Sequence, residues 1–499
     1  MIRLRGVRYA YPVSGGAWAL NGIDLSIREG EYVYVCGASG SGKSTLACLL
    51  NGLIPHFFGG TLEGSVTVQG MDIRTTPVAE LFPHVGLVHQ NADAHLFNAD
   101  VESEIAFGLE SLGLPAREIL PRIREASAAL HVEDLLCRSP MALSAGEKRL
   151  VAIASVLCLD PSIVVLDEPF AHLDWEGAKM IRQALERVHR SGKTVLVVEH
   201  RADGFLRDAT RCLVLDQGRT AFDGPSQDAQ APMAAHRLIP GYTQRRRKGH
   251  HGGNPVLAVR DLSFRMGSRW LLKKVSFQVG EGESVAIVGK NGAGKTTLIK
   301  QLNGLLHPTQ GEVMVMGRPV RGRDPSELAS SIGLSFQNAN DQFFKFRVRD
   351  ELLVGLRAQP KVGEEEIQRL CDLFGLHGLL DRSPFRLSEG EKKRVALASV
   401  LAGGARILVL DEPTVGQDGR TREALAGLLG TLEGRGYTIL IVTHDLEFAQ
   451  AAAGRWIVLD QGEVLGEGAP ETLLGKGPLA NVGVRDGNGD EELSIAGRL

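Results

Sequence analysis

An α/β protein made of two copies of one unit is what this 499-residue chain predicts, on three observations. A glycine-rich segment between an apolar strand and a helix occurs twice, GASGSGKST at 37–45 and GKNGAGKTT at 289–297. Four continuous apolar runs, SIVVLD, TVLVVEH, RILVLD and TILIVTH, have the composition of parallel strands buried on both faces. Landmarks then recur in one order: Lys43 with Lys295, Gln90 with Gln337, Ser144 with Ser388, Asp167 with Asp411, and His200 with His444. Their separation falls from 252 to 247 and then holds at 244 residues, the signature of a duplicated unit.

Composition bounds the class. With 43% apolar and 23% charged residues the chain is a globular protein, and a net charge of −3 predicts no general affinity for nucleic acid. Six scattered cysteines without CxxC spacing predict buried, inert thiols in a reducing compartment. MIRLRGVRYA lacks the form of a signal peptide, and no apolar run approaches the roughly 18 residues that span a bilayer. The expected division is a first unit over 1–227, a linker over 228–255 rich in Pro, Gly and charge, a second unit over 256–480, and a flexible tail over 481–499. Helix-like sequence between Gln90 and Ser144, and between Gln337 and Ser388, predicts a helical insertion in each unit.

The glycine loops come first in each copy. GxxxxGK[ST] after an apolar strand and before a helix cradles phosphate, because its backbone N–H groups and the helix N-terminus face the negative charge. Gly37, Gly40 and Gly42 permit that wrapping in the first loop, which Ala38, Ser39, Ser41 and Thr45 complete. Gly289, Gly292 and Gly294, with Lys290, Asn291, Ala293 and Thr297, form the second. Lys43 and Lys295 are expected at the terminal phosphates, and the hydroxyls of Ser44 and Thr296 at Mg²⁺.

Further along, VVLDEP and LVLDEP put Asp167 and Asp411 at strand ends, where open α/β sheets bind ligands, as holders of the Mg²⁺ shell. Glu168 and Glu412, one residue on, are placed to polarise an attacking water. An Asp-Glu pair ending a strand is in isolation more often a helix cap; the upstream glycine loop reverses that reading. His200 and His444 end another strand pair and point to a γ-phosphate or water contact. Gln90 and Gln337 follow the short strands LVHQ and LSFQ and suggest a sensor of metal and water.

Taken in order, glycine loop, glutamine, LSxGE (LSAGE at 143–147, LSEGE at 387–391), LDEP, a following Asp (Asp174, Asp418) and a histidine resemble the ATP-binding-cassette ATPases, over nearly the whole chain and twice. The resemblance implies two P-loop nucleotide-binding domains, each a mixed parallel-sheet core with an antiparallel β subdomain and a helical subdomain. It also implies that two cassettes pair head to tail within one chain, each ATP held by one P-loop and the other cassette's signature. Lys43 is then expected to share its ATP with Ser388 and Gly390, and Lys295 with Ser144 and Gly146. Asp174 and Asp418 join the nucleotide sites on the same ground, and Tyr11 matches the aromatic residue that stacks on adenine, a position held by Met266 in the second copy unless Trp270 substitutes.

QNADAHLF (90–97) and QNANDQFF (337–344) further resemble the QNPDDQLF pattern of the ATPases of energy-coupling-factor importers for vitamins and transition-metal ions, with Ala92 and Ala339 in place of Pro. From that resemblance follow an ATP hydrolase that drives a translocase, at the cytoplasmic face of the cell membrane. An integral membrane transport subunit and a separate substrate-capture membrane subunit are its implied partners, and nucleic acid is not. The alternatives are a ribosome-associated tandem-cassette translation factor and a fused sugar-importer ATPase. The short linker and the intact Lys295, respectively, weigh against them.

Overall fold

The computed structural model describes residues 1–12, 15–90, 95–171, 173–200, 205–242, 255–356, 364–474 and 479. The chain divides into two compact units, Met1–Gly241 with Asp418–Arg420, and Tyr242–Gln417 with Thr421–Leu499. In the first, a six-stranded sheet runs in the order Arg219–Pro225, Arg211–Asp216, Tyr32–Gly37, Thr194–Glu199, Ile163–Asp167, Val85–Val88. Every neighbouring pair is parallel except the first, which is antiparallel. The second unit repeats this with Glu463–Gly468, Arg455–Asp460, Ser284–Val288, Thr438–Thr443, Ile407–Asp411 and Ile332–Ser335. Each unit adds a four-stranded antiparallel sheet, centred on Ile2–Ala10 with Thr61–Val68, or on Pro255–Met266 with Gln310–Val315.

Why the apolar runs are continuous is visible in the packing. A strand alternates its side chains between two faces, and here both faces are covered. Val33, Val35, Val165 and Val198 point into a core shared with the antiparallel sheet and the helix Lys43–Leu50. Tyr34, Cys36, Val164 and Val197 point into a second core shared with the helices Val101–Ser111, Ala116–Leu130, Ala145–Leu157 and Trp175–Arg190. The anticipated helical insertion of the second unit comprises Val348–Leu356 and Glu364–Phe374, and the helix Glu389–Ala402 follows it. Four adjacent parallel strands thus end side by side at Gly37, Glu199, Asp167 and Val88, delivering the glycine loop, His200, Glu168 and Gln90 to one edge.

Two expectations change. The segment read as a linker from residue 228 starts as folded structure: the helix Gln230–Ala235 seats Met233, and Leu238 follows, in the helical core of the first unit. The two apolar anchors outweigh the Pro- and Gly-rich composition around them, so the first unit runs to Gly241. Residues 243–254, with the basic cluster Arg245–Lys248, and the tail 481–499 lie outside the described residues. Of the six thiols, Cys137 is exposed, against the expectation that all are buried; Cys36 and Cys212 lie 3.7 Å apart, both as free thiols.

Candidate functional site

Each glycine loop begins where a fully buried strand stops, at Gly37 and after Val288, and ends at a helix starting with Lys43 or Lys295. Gly42 and Gly294 precede those helices at φ of 99° and 100°, where a Cβ is strained, and a Cβ on Gly42 would sit 2.5 Å from the Ala19 carbonyl oxygen. With glycine there, neither helix has a side-chain cap, and its first N–H groups are left to an anion. Both lysines are buried and fold onto their own loops. Lys43 Nζ donates to the carbonyls of Gly37 and Ala38 at 2.8 and 2.9 Å, and Lys295 Nζ to those of Gly289 and Lys290 at 2.7 and 2.9 Å. Burial pushes the Lys43 pKa down, against the pull of Glu168, Asp167 and Glu199.

Asp167 and Asp411 end the neighbouring strands. Ser44 hydrogen-bonds Asp167, and Thr296 Oγ1 donates to Asp411 Oδ2 at 3.3 Å. In both aspartates Oδ1 is buried without a hydrogen-bond partner, and burial first, then the neighbouring glutamate, raises the pKa to about 6. An orphaned carboxylate oxygen beside a hydroxyl is a hard oxygen donor set that fits Mg²⁺, which binds through few protein oxygens and retains waters. The residues at both sites therefore fit the ion.

Glu168 and Glu412 both occupy the left-handed region, at φ of 49° and 44°. Such a conformation costs energy for a residue with a Cβ and persists where surrounding bonds hold it. The hold is the same twice: the Glu168 N–H donates to the Val198 carbonyl and the Glu412 N–H to that of Val442, each at 2.8 Å. The side chains then part company. Glu168 Oε2 accepts from Gln90 Nε2 at 2.5 Å and lies 3.4 Å from His200 Nδ1, whose Nε2 is buried without a partner. Glu412 Oε2 accepts from Thr443 Oγ1 at 3.1 Å and the His444 N–H at 3.2 Å, with His444 Nδ1 at 2.9 Å. Lys295 Nζ is 3.5 Å from Glu412, and although burial raises the Glu412 pKa, His444 and Lys295 together leave it lowered. Gln337 makes no side-chain hydrogen bond to Glu412 among the described residues.

One residue underlies this difference. The position before the histidine is Thr443 in the second unit and Glu199 in the first, and a carboxylate cannot donate to Glu168 as Thr443 does to Glu412. Glu199 instead accepts from the Phe170 N–H at 3.1 Å. The sequence shows the substitution plainly, but its consequence needs the geometry.

LSAGE and LSEGE turn out to be capping boxes. Ser144 Oγ accepts from the Glu147 N–H at 3.3 Å while the Ser144 N–H donates to Glu147 at 2.7 Å, opening the helix Ala145–Leu157. Ser388 and Glu391 do the same at 3.4 and 2.9 Å for Glu389–Ala402. The S-x-x-E spacing that signals this motif stands in both copies, at Ser144 with Glu147 and Ser388 with Glu391. Unmarked in the sequence are Arg149 and Lys393, buried on these helices, which reach back to the glutamine segments. Arg149 donates to the His89 carbonyl at 2.9 Å; Lys393 Nζ donates to those of Phe336 and Gln337 at 2.9 and 2.5 Å. Burial lowers the Lys393 pKa to about 8.

Asp174 caps the helix Trp175–Arg190 by accepting from the Gly177 N–H at 2.9 Å, and Asp418 directly precedes the helix Gly419–Gly434. Tyr11 Oη is 3.2 Å from Thr45 Oγ1, bringing its ring to the first glycine loop. In the second unit Met266 is 66% exposed, and the Trp270 ring is engaged by the Arg265 guanidinium 5.7 Å from its centroid.

The ABC transporter family model matches residues 20–171 and 272–415, one match in each unit and more than half of the chain. The chain belongs to the ABC transporter family. Its ATPases bind ATP and couple its hydrolysis to transport. The likeness extends over full length: a protein of Methanosarcina acetivorans provisionally named an ABC transporter ATP-binding protein is 33% identical across 96% of this chain and 92% of its own. A Bacillus subtilis protein provisionally named the HMP/thiamine import ATP-binding protein YkoD is 32% identical across 91% of this ABC chain and 88% of its own. An archaeal ribosome recycling factor, solved in complex with a ribosomal stalk protein, shares the fold: TM-score 0.66, 24% identity, 93% of this chain and 90% of that one.

Proposed function

We propose that this ABC ATPase energises an energy-coupling-factor type importer of a vitamin or a transition-metal ion, acting as a peripheral subunit on the cytoplasmic face of the cell membrane. The full-length likeness to an HMP/thiamine import ATP-binding protein carries this reading. No helix among the described residues is long and apolar enough to cross a membrane; the proposed transport path is carried by other chains. Those chains are an integral membrane transport subunit and a membrane subunit that captures the solute.

In the proposed cycle the loop N–H groups wrap the phosphates, and Lys43 and Lys295 exchange their own loop carbonyls for terminal phosphate oxygens. Asp167 with Ser44, and Asp411 with Thr296, would hold Mg²⁺, which when bound would offset the negative charge of the phosphates. Glu168 and Glu412 orient the attacking water and accept its proton. His200 and His444 hold the glutamates and face the γ-phosphate, and Gln90 and Gln337 report its presence to the surface next to them. On the family resemblance, Ser144 and Gly146 complete the site of Lys295, and Ser388 and Gly390 that of Lys43. Closure on two ATP molecules moves the membrane subunit because that subunit binds the closed and open forms unequally.

Affinity purification of the tagged chain from solubilised membranes tests the reading. An integral membrane subunit with a small solute-binding membrane protein is expected; cosedimentation with ribosomes and no membrane protein refutes it.

A further inference from the structure

We propose that Arg422 is a positioning residue for hydrolysis at the second glycine loop: acting through Asp445 and Thr443, it holds one oxygen of Glu412 and leaves the other for the attacking water. This rests on the reading of Glu412 as the residue that orients that water.

Arg422 is a buried charge that the cycle above does not use. It lies in the first turn of the helix Gly419–Gly434 and is 1% exposed. Its Nη2 donates to Asp445 Oδ1 at 2.9 Å and lies 2.7 Å from Oδ2. The Tyr242 ring covers the guanidinium, 5.9 Å from its centroid. An ion pair at this depth contributes little to the stability of a fold, because desolvation of both charges offsets their attraction. The first unit shows that the fold does not require it. At the matching positions its sequence has Ala178 and Arg201, and Ala178 packs in the helical core. A charged pair buried in one copy alone calls for a local reason.

That reason lies beside Asp445. Its Oδ1 accepts from the Phe448 N–H at 3.0 Å, capping the helix Leu446–Ala452, and its own N–H donates to Thr443 Oγ1 at 3.0 Å. A hydroxyl that accepts from an N–H keeps its own proton to give, and Thr443 gives it to Glu412 Oε2 at 3.1 Å. By clamping the Asp445 carboxylate, Arg422 sets where the Asp445 N–H points and therefore which way the hydroxyl donates. Every link of this chain is buried.

At its far end the two Glu412 oxygens are unequal. Oε2 accepts from the Thr443 hydroxyl and from the His444 N–H at 3.2 Å. Oε1 is buried with no hydrogen-bond partner among the described residues, 3.5 Å from Lys295 Nζ. A buried carboxylate oxygen without a donor is a place for a water O–H, and it sits beside the lysine of the glycine loop. A general base must be fixed within hydrogen-bond reach of its water, and a misplacement of about 1 Å costs up to a hundredfold in rate. The first copy cannot build the same chain. Glu199 stands for Thr443 and has no proton to donate when ionised, Ala178 stands for Arg422, and Glu168 Oε2 accepts from Gln90 at 2.5 Å instead.

Site-resolved single turnover on the full chain tests the proposal. Photoreactive ATP labelled at the α- or the γ-phosphate is flashed at intervals after mixing, and both labels are followed on the peptides containing Lys43 and Lys295. Arg422→Met should slow loss of the γ label at the Lys295 peptide about tenfold, with less effect at Lys43 and with α-label occupancy unchanged. Thr443→Val should do the same. Adding Arg422→Met to Thr443→Val should slow it by less than about twofold more, since a residue that acts through Thr443 has nothing left to act on. Arg422→Lys should restore most of the rate, because one ammonium can meet both Asp445 oxygens as Nη2 does. Arg422→Met with Asp445→Asn keeps the cap and leaves no orphaned carboxylate, so it should melt near wild type and still be slow. Additive effects, wild-type rates in that double variant, no rescue by lysine, or equal slowing at both loops overturn the proposal. Glu412→Gln keeps the two failures apart. If it slows the Lys295 site while the Arg422 and Thr443 variants do not, the chain through Arg422 alone fails; if it slows nothing, the reading of Glu412 fails and the proposal with it.

Discussion

Ser144 is expected to have two separable duties, and two substitutions divide them. Its Oγ accepts from the Glu147 N–H at 3.3 Å in the capping box, so Ser144→Ala should destabilise the helix Ala145–Leu157 by about 1 kcal/mol. In a unit of this size that lowers the melting temperature by roughly 2–4 °C. Ser144→Asp keeps an acceptor in the cap and gains about 0.5 kcal/mol from an anion at a helix N-terminus, partly offset by the Glu147 carboxylate beside it. Net stability should stay within about 0.5 kcal/mol of wild type. Aimed at a triphosphate, however, the new carboxylate should cut nucleotide trapping about tenfold, equivalent to about 1.4 kcal/mol. Thermal unfolding of the nucleotide-free chain reads the first effect. Photoreactive ATP mapped to the glycine-loop peptides containing Lys43 and Lys295 reads the second. Ser144→Asp should melt like wild type yet lose labelling at Lys295 more than at Lys43. Wild-type labelling at both loops, or equal loss at both, would refute the pairing of Ser144 with the second site.

Glu168→Gln and Glu412→Gln should each leave ATP binding intact and slow hydrolysis about a hundredfold or more at their own site, measured by single-turnover kinetics; lost binding would show a structural role instead. Lys393 carries a pH signature: its folded pKa of about 8 lies below the ordinary 10.5, so the unfolded chain holds the proton more tightly. Its contribution to stability should therefore rise with pH between about 8 and the ordinary lysine value. Over the same window the ammonium that ties the signature helix to Phe336 and Gln337 is lost, so ATPase activity should fall above about pH 8 and Lys393→Arg should remove that limb. A profile unchanged by Lys393→Arg would refute it. Met233→Ala should destabilise the first unit by about 2 kcal/mol or more in chemical unfolding, whereas a residue in a true linker should change it by less than about 0.5 kcal/mol.

Several features were legible because their physics is local. A loop that must bring backbone to phosphate needs Gly42 and Gly294 where no Cβ fits, and a strand covered on both faces needs an unbroken apolar run such as IVVL before Asp167. The capping boxes were equally local and were overlooked because Ser144 and Ser388 were read only as ligands. Hidden from composition was the role of Met233 and Leu238, whose burial depends on a core assembled elsewhere in the chain.

By itself the sequence determined the duplication, the fold of each unit, the family, and the residues that meet at the sheet edge, since each of these follows from patterns within a few neighbouring positions. Only tertiary structure decided how the two copies differ. Glu168 turns to Gln90 whereas Glu412 turns to Thr443 and His444, and Arg149 and Lys393 reach carbonyls 60 and 57 residues away. Those choices depend on which donors distant segments bring within about 3 Å, a distance set by packing of the whole unit.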